Sequence, residues 1–152
     1  MQHRNGDLFT TDAKILAHGA NTKGLMGAGI AKTVKETFPE NYKGYRNYCK
    51  VGYARPGEWY ANSQDDGRLL LNLFSQDEPG ANARYEWVFD SLMDFLRFYS
   101  TVDVSHYGSV IAIPEIGSGI GGLEYSHVEG ILQLIEDIHP EIEFEVWHYE
   151  PN

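Results

Sequence analysis

Apolar positions along this chain follow two rhythms: short, nearly continuous runs, and longer stretches that repeat at helical spacing. Ile15-Leu16-Ala17-His18-Gly19-Ala20 is a run of the first kind and predicts a strand buried on both faces. Residues 28–38 repeat as a helix that Pro39 stops, and residues 40–50 predict a second helix with Tyr42, Tyr45 and Cys49 on one face. Residues 55–60 form a turn entering a strand. Asp65-Asp66-Gly67 is a hairpin-type turn, residues 68–74 are the strand leaving it, and residues 75–82 are a polar loop. Residues 84–100 give the clearest helix, with Tyr85, Val88, Phe89, Leu92, Leu96 and Tyr99 on one face. A buried strand follows over 109–113. Ser126-His127-Val128-Glu129 has the form of a capping box opening a helix to about residue 138, whose apolar face is Val128, Ile131, Leu132, Ile135 and Ile138. Residues 1–5 and 142–149 complete the pattern as a short first strand and an alternating last one.

Strands alternating with helices predict an α/β sheet covered by helices on both sides. Two glycine-rich loops punctuate it. Asn21-Thr22-Lys23-Gly24-Leu25-Met26-Gly27-Ala28-Gly29-Ile30-Ala31 follows one buried strand, and Gly117-Ser118-Gly119-Ile120-Gly121-Gly122 follows another. Glycine costs backbone entropy and offers nothing to pack, so such clusters call for backbone that comes close to something. Each loop leads toward a helix, whose N-terminus favours an anion. Two such loops at strand ends place a ligand crevice at one edge of the sheet. Neither carries the Gly-Lys-Ser/Thr ending of an ATP-hydrolysing loop, and Gly24, Gly27 and Gly29 lack the dinucleotide spacing.

Composition narrows the class. The 152 residues suffice for one domain, 1–152, with its own core. A formal charge of −10 argues against a nucleic-acid backbone or an anionic membrane as the main partner. The single cysteine, Cys49, fits a reducing, intracellular and specifically cytoplasmic setting. No apolar signal segment opens the chain and no stretch is long and apolar enough to span a bilayer. His3, His106, His127, His139 and His148 show no metal-ligand spacing, so neither a metal nor a cofactor is expected. The tyrosine-rich segment 42–60 reads as core packing or as a partner surface.

Three motifs carry a resemblance. Gly6-Asp7-Leu8, then His18-Gly19-Ala20-Asn21 with Gly24-Leu25-Met26-Gly27-Ala28-Gly29-Ile30-Ala31, then Ile113-Pro114-Glu115-Ile116-Gly117-Ser118-Gly119-Ile120-Gly121-Gly122-Leu123 resemble the macrodomain family, in order and through nearly the whole chain. The branch resembled includes ADP-ribose-1″-phosphate phosphatases and terminal ADP-ribose protein glycohydrolases. The resemblance implies a three-layer α/β/α fold with a mixed, mostly parallel sheet, and ADP-ribose or ADP-ribose-1″-phosphate as ligand, with ADP-ribosylated macromolecules as a further partner class. It places Asp7, beside Leu8, at the adenine amino group and Asn21 at the distal ribose. Gly27, Ala28, Gly29 and Ile30 then face the distal ribose and phosphates, Ser118, Gly119, Ile120 and Gly121 form the diphosphate loop, and Tyr149 stacks on adenine. Each has a plainer reading beside it: a turn carboxylate for Asp7, a turn or cap amide for Asn21, an exposed strand-end ring for Tyr149.

Departures bear on the reaction. The glycohydrolase branch uses a lysine after the middle strand and an aspartate in the second glycine loop; here Gln76 and Gly121 stand at those positions. Glutamine forms no Schiff base and glycine supplies no general base, so that mechanism is not expected. The phosphatase pattern needs a positioned water and stabilisation of developing charge. Candidate catalytic residues are His18, for proton transfer near neutral pH, with Asn21 and Asp77; the alternative for His18 is a core histidine. A non-catalytic ADP-ribose reader is the competing function, and an α/β domain taking another nucleotide is a third.

Overall fold

Each short apolar run becomes a strand and each helical repeat a helix. The computed structural model describes residues 1–100 and 106–149. In chain order these are β1 (Gln2–Asn5), β2 (Ile15–Ala20), α1 (Gly29–Thr37), α2 (Pro39–Lys50), β3 (Trp59–Ser63), β4 (Leu69–Phe74), α3 (Tyr85–Tyr99), β5 (Val110–Pro114), α4 (Tyr125–Ile138) and β6 (Glu143–His148). The strands form one six-stranded sheet in the order β1-β6-β5-β2-β4-β3. Every neighbouring pair is parallel except β3 and β4, joined by the Asp65-Asp66-Gly67 hairpin.

Two apolar clusters sandwich the sheet. Val88, Leu92, Phe95 and Leu96 of α3 and Val128, Leu132 and Ile135 of α4 pack with Ile15, Ala17, Ile111 and Ile113. On the opposite face, Val34 of α1 and Tyr45 of α2 pack with Leu16, Ala20, Leu70, Phe74 and Ala112. Strand residues alternate between the clusters, as a period of two requires. Central β2 is buried on both faces, which explains its continuous apolar run. The expected α/β/α layering with a mixed, mostly parallel sheet is the architecture observed.

Helix α4 differs from expectation in two details. Leu123 N–H bonds Gly117 O and Glu124 N–H bonds the Tyr85 hydroxyl, so the chain is already fixed when it enters the helix at Tyr125. Ser126 therefore lies inside the first turn, and the cap residue, Glu124, makes no side-chain cap bond. The capping box does not form. Ile138, counted on the apolar face, is the last helical residue and is exposed. Among the described residues, no helix is long and apolar enough to cross a membrane.

Candidate ligand crevice

Strand β2 delivers its chain to α1 on one face of the sheet, whereas its neighbour β5 delivers to α4 on the other. Loops leaving adjacent parallel strands toward opposite faces must diverge, and a crevice opens between them at the carboxyl ends. Both glycine-rich loops sit there. The crevice has two lobes that share Gly29, Ile30, Pro114, Glu115, Ser118 and Gly119. The first, about 520 Å³, is walled by Asp7, Leu8, Phe9, Trp147 and Tyr149. The second, about 360 Å³, is floored by Gly19, Asn21, Ser75 and Gln76 and walled by both loops.

The loops approach each other closely. Gly29 holds φ at +60°, a left-handed backbone, and a Cβ there would lie 3.3 Å from Ile120 Cδ1 across the crevice. Side chains on L-residues are strained in that conformation, and the gap leaves no room for a larger one. Ala28, the N-cap of α1, makes no side-chain cap bond, so the first turn presents its N–H groups without a competing acceptor from the cap. The second loop closes on itself through Gly122 N–H to Gly119 O and Leu123 N–H to Gly117 O. No lysine or arginine lines either lobe. Backbone dipoles, not cations, must favour an anion here.

Asp7 reaches the first lobe, with Oδ1 accepting from Phe9 N–H at 2.9 Å to cap a short 3-10 turn. Tyr149 lies just past β6 and is 74% exposed at the rim. Asn21 lines the second lobe, but its carboxamide is spent on the loop: Oδ1 accepts from Lys23 N–H at 2.9 Å and from the Tyr45 hydroxyl at 3.0 Å, while Nδ2 donates to Leu25 O at 2.8 Å. It shapes the loop as an Asx turn.

Two candidates are not brought into the crevice. His18 faces the α2 side of β2 and is fully buried, paired in register with Asn72 of β4. Asn72 Nδ2 donates to Asn41 Oδ1 and Tyr60 O, so its Oδ1 is the acceptor and His18 Nε2–H donates to it at 2.7 Å. Burial pushes the imidazole down to about 4, against the smaller upward pull of Asn72. His18 is a core histidine, out of reach of a ligand. Asp77 lies on the outer side of the 21–25 loop, where Oδ1 accepts from Thr22 Oγ1 at 2.6 Å and faces Lys23 Nζ at 3.5 Å. The Thr22 bond, then Lys23, holds its carboxyl below the usual range. Its place is a tie between loops.

Other residues enter the site that spacing alone did not single out. Ser75, the first residue after β4, has its hydroxyl buried on the lobe floor without a hydrogen-bond partner; a Cβ on Gly19 would sit 2.6 Å from that oxygen. Ser118, already expected in the diphosphate loop, likewise has its Oγ buried and unpartnered. Glu115 borders both lobes, and its Oε1 accepts from His148 Nδ1 at 2.8 Å; His148 Nε2 in turn meets His3 Nδ1 at 2.9 Å. Among the described residues, no group of three or more His, Cys, Asp and Glu is arranged to hold a metal ion.

No protein-family model matches the chain. It is 39% identical over 161 residues to an ADP-ribose 1″-phosphate phosphatase of Meyerozyma guilliermondii, covering 88% of this chain and 92% of that protein. The macrodomain of Thermus aquaticus DarG superposes with a TM-score of 0.82 at 27% identity, covering 99% of this chain and 97% of that one. The chain belongs to the macrodomain family. A DNA ADP-ribosyl glycohydrolase of Thermus aquaticus is 30% identical over 150 residues, which span 96% of this chain but 40% of that longer protein.

Within this macrodomain, the two positions at which the glycohydrolase branch was expected to carry lysine and aspartate are neighbours in space. A Cβ on Gly121 would lie 3.5 Å from Gln76 Oε1 and 3.0 Å from Ala83 Cβ. Gln76 Nε2 donates to Glu78 O at 2.6 Å and Gly80 O at 3.1 Å, which ties it to its own loop.

Proposed function

We propose that this macrodomain binds ADP-ribose along the two-lobed crevice and hydrolyses ADP-ribose-1″-phosphate or a related ADP-ribose derivative. Adenine occupies the first lobe, with its amino group toward Asp7 and its ring against Tyr149. The diphosphate lies between residues 27–30 and 118–121, drawing on the α1 N-terminus and on the amides of Gly119, Ile120 and Gly121. The distal ribose enters the second lobe above Asn21 and Ser75. The observation that carries this reading is a crevice walled by two glycine-rich loops and free of lysine and arginine, built to take an anion on backbone N–H groups. The likeness to a phosphatase over nearly its full length supports the choice of substrate.

In the reaction, water attacks phosphorus, the bond from phosphorus to the C1″ oxygen breaks, and ADP-ribose and phosphate leave. Glu115 takes the proton of the attacking water and returns it to the departing C1″ oxygen, and loop amides stabilise the charge that develops on the phosphoryl oxygens. The same reading places the protein in the cytoplasm, where a lone thiol such as Cys49 stays reduced; cell fractionation tests that placement. Calorimetry with ADP-ribose and phosphate release from ADP-ribose-1″-phosphate test the function. Binding with turnover is expected, and Glu115→Gln is expected to lower kcat about 10²-fold or more while binding persists. No heat with ADP-ribose would overturn the crevice assignment.

The second reading is a non-catalytic reader. Gln76 and Gly121 favour it, because both positions lack an ionisable group. Binding without phosphate release above the buffer rate would establish the reader and remove Glu115 from a catalytic role.

A further inference from the structure

The buried face of β6, Phe144 and Val146, ends in His148 and not in another apolar residue. Strand register decides what meets it. On one side β1 runs parallel to β6 with His3 opposite Val146, and on the other β5 runs parallel with Pro114 opposite Trp147. Paired positions of parallel strands share a face, so one step past Pro114 brings Glu115 level with His148, while His3 approaches from the opposite flank. Helix α4 lies over this face, and its Tyr125 and Glu129, at i and i+4, point to the same side. A continuous line of polar groups results, from the crevice to the surface. Glu115 Oε1 meets His148 Nδ1 at 2.8 Å, His148 Nε2 meets His3 Nδ1 at 2.9 Å, and His3 Nε2 meets Glu129 Oε1 at 3.1 Å.

The partners fix how many protons the two rings hold. A carboxylate only accepts, so His148 Nδ1 carries a proton toward Glu115 and His3 Nε2 carries one toward Glu129. Between His148 Nε2 and His3 Nδ1 lies one proton, because two would face each other across 2.9 Å. Three protons on four ring nitrogens give the pair one positive charge, with a carboxylate at each end. The other group facing His148 is Tyr125, whose ring meets the imidazole edge-on at 5.3 Å between centroids. Burial, then Glu129 and Glu115, pushes its hydroxyl up to about 12, so it stays neutral. Among the described residues Glu115 Oε2 has no hydrogen-bond partner, and it is the oxygen left to the crevice.

We propose that His148 is a positioning residue for the hydrolysis: its Nδ1–H holds Glu115 Oε1 and leaves Oε2 for the attacking water, while His3 and Glu129 keep that proton on Nδ1. This role rests on Glu115 as the base in the function proposed above. The proton between the rings also follows the reaction. While Glu115 is an anion, the positive charge sits beside it on His148. As Glu115 takes the proton of water, the shared proton passes from His148 Nε2 to His3 Nδ1; one N–H bond breaks, the other forms, and the charge moves toward Glu129. It moves back when Glu115 gives its proton to the C1″ oxygen, so the line neither gains nor loses a proton over the cycle.

Phosphate release from ADP-ribose-1″-phosphate tests the role. His148→Leu, which continues the apolar face of β6, is expected to lower kcat about tenfold or more, with KM changed less than about twofold and ADP-ribose affinity by calorimetry unchanged. His148→Asn keeps an amide N–H near the Nδ1 position and is expected to restore kcat to within about threefold of wild type. Glu115→Gln combined with His148→Leu is expected to be no slower than Glu115→Gln alone, because His148 acts only through Glu115. Heteronuclear NMR of the ring nitrogens reads the same assignment without turnover: His148 is expected to be protonated on Nδ1 in wild type and to shift toward Nε2 in His3→Leu. Losses that multiply in the double variant, His148→Asn as slow as His148→Leu, or a wild-type His148 protonated on Nε2 alone would each overturn the inference. Wild type that shows the Nδ1–H signature and binds ADP-ribose without turnover would instead remove Glu115 as a base, and the catalytic use of the line with it.

Discussion

His18 shows what one side chain's surroundings decide. Its Nε2–H is bonded to Asn72, its Nδ1 has no hydrogen-bond partner among the described residues, and burial lowers its pKa to about 4 from 6.5. The folded molecule therefore holds the neutral ring at pH values where the unfolded chain takes up a proton. Stability contributed by the neutral ring is fully present above pH 6.5 and is lost as pH falls toward 4. The slope is about 1.4 kcal/mol per pH unit, about 3 kcal/mol across the window. Urea unfolding of wild type and His18→Gln between those limits is expected to show the wild type losing this amount relative to the variant on acidification. A difference independent of pH would mean that His18 takes up its proton in the folded molecule as it does in the unfolded chain.

At the scale of elements, the loop after β2 is the point where fold and site meet. Tyr45 of α2 donates its hydroxyl to Asn21 O at 2.7 Å, and Asn21 braces Lys23 and Leu25, so helix packing sets the shape of the crevice floor. Asn21→Ala removes several bonds at once and is expected to cost about 2–3 kcal/mol, with faster hydrogen exchange in residues 21–25 and weaker ligand binding. Tyr45→Phe removes the hydroxyl contact alone and is expected to cost about 1 kcal/mol with the same direction of change in exchange. Exchange unchanged in both variants would show that the loop is held by something else. The elements themselves were legible from periodicity: the helix expected over 84–100 is Tyr85–Tyr99, and that over 28–38 is Gly29–Thr37. Glycine loops at strand ends likewise announced the crevice. What was not legible depends on register and on contacts between distant residues. His18 meets Asn72 because β2 and β4 pair as they do, Glu115 is set by His148 from β6, and Ser75 becomes a floor residue through its closeness to Gly19. None of these leaves a periodic trace. Asp77 looked free to serve the site because its partner, Thr22, lies 55 positions away.

Across the whole molecule, a charge of −10 surrounds a crevice with no lysine or arginine among its lining residues. Cations that neutralise phosphates release counterions, and added salt then weakens binding; fixed backbone dipoles displace far fewer ions. A diphosphate approaching a molecule of like net sign is also repelled at long range, and salt screens that repulsion. Affinity for ADP-ribose, measured by calorimetry from low to physiological salt, is expected to stay level or rise slightly. A steep loss of ADP-ribose affinity would place a cation against the diphosphate and contradict a crevice that works through backbone N–H groups.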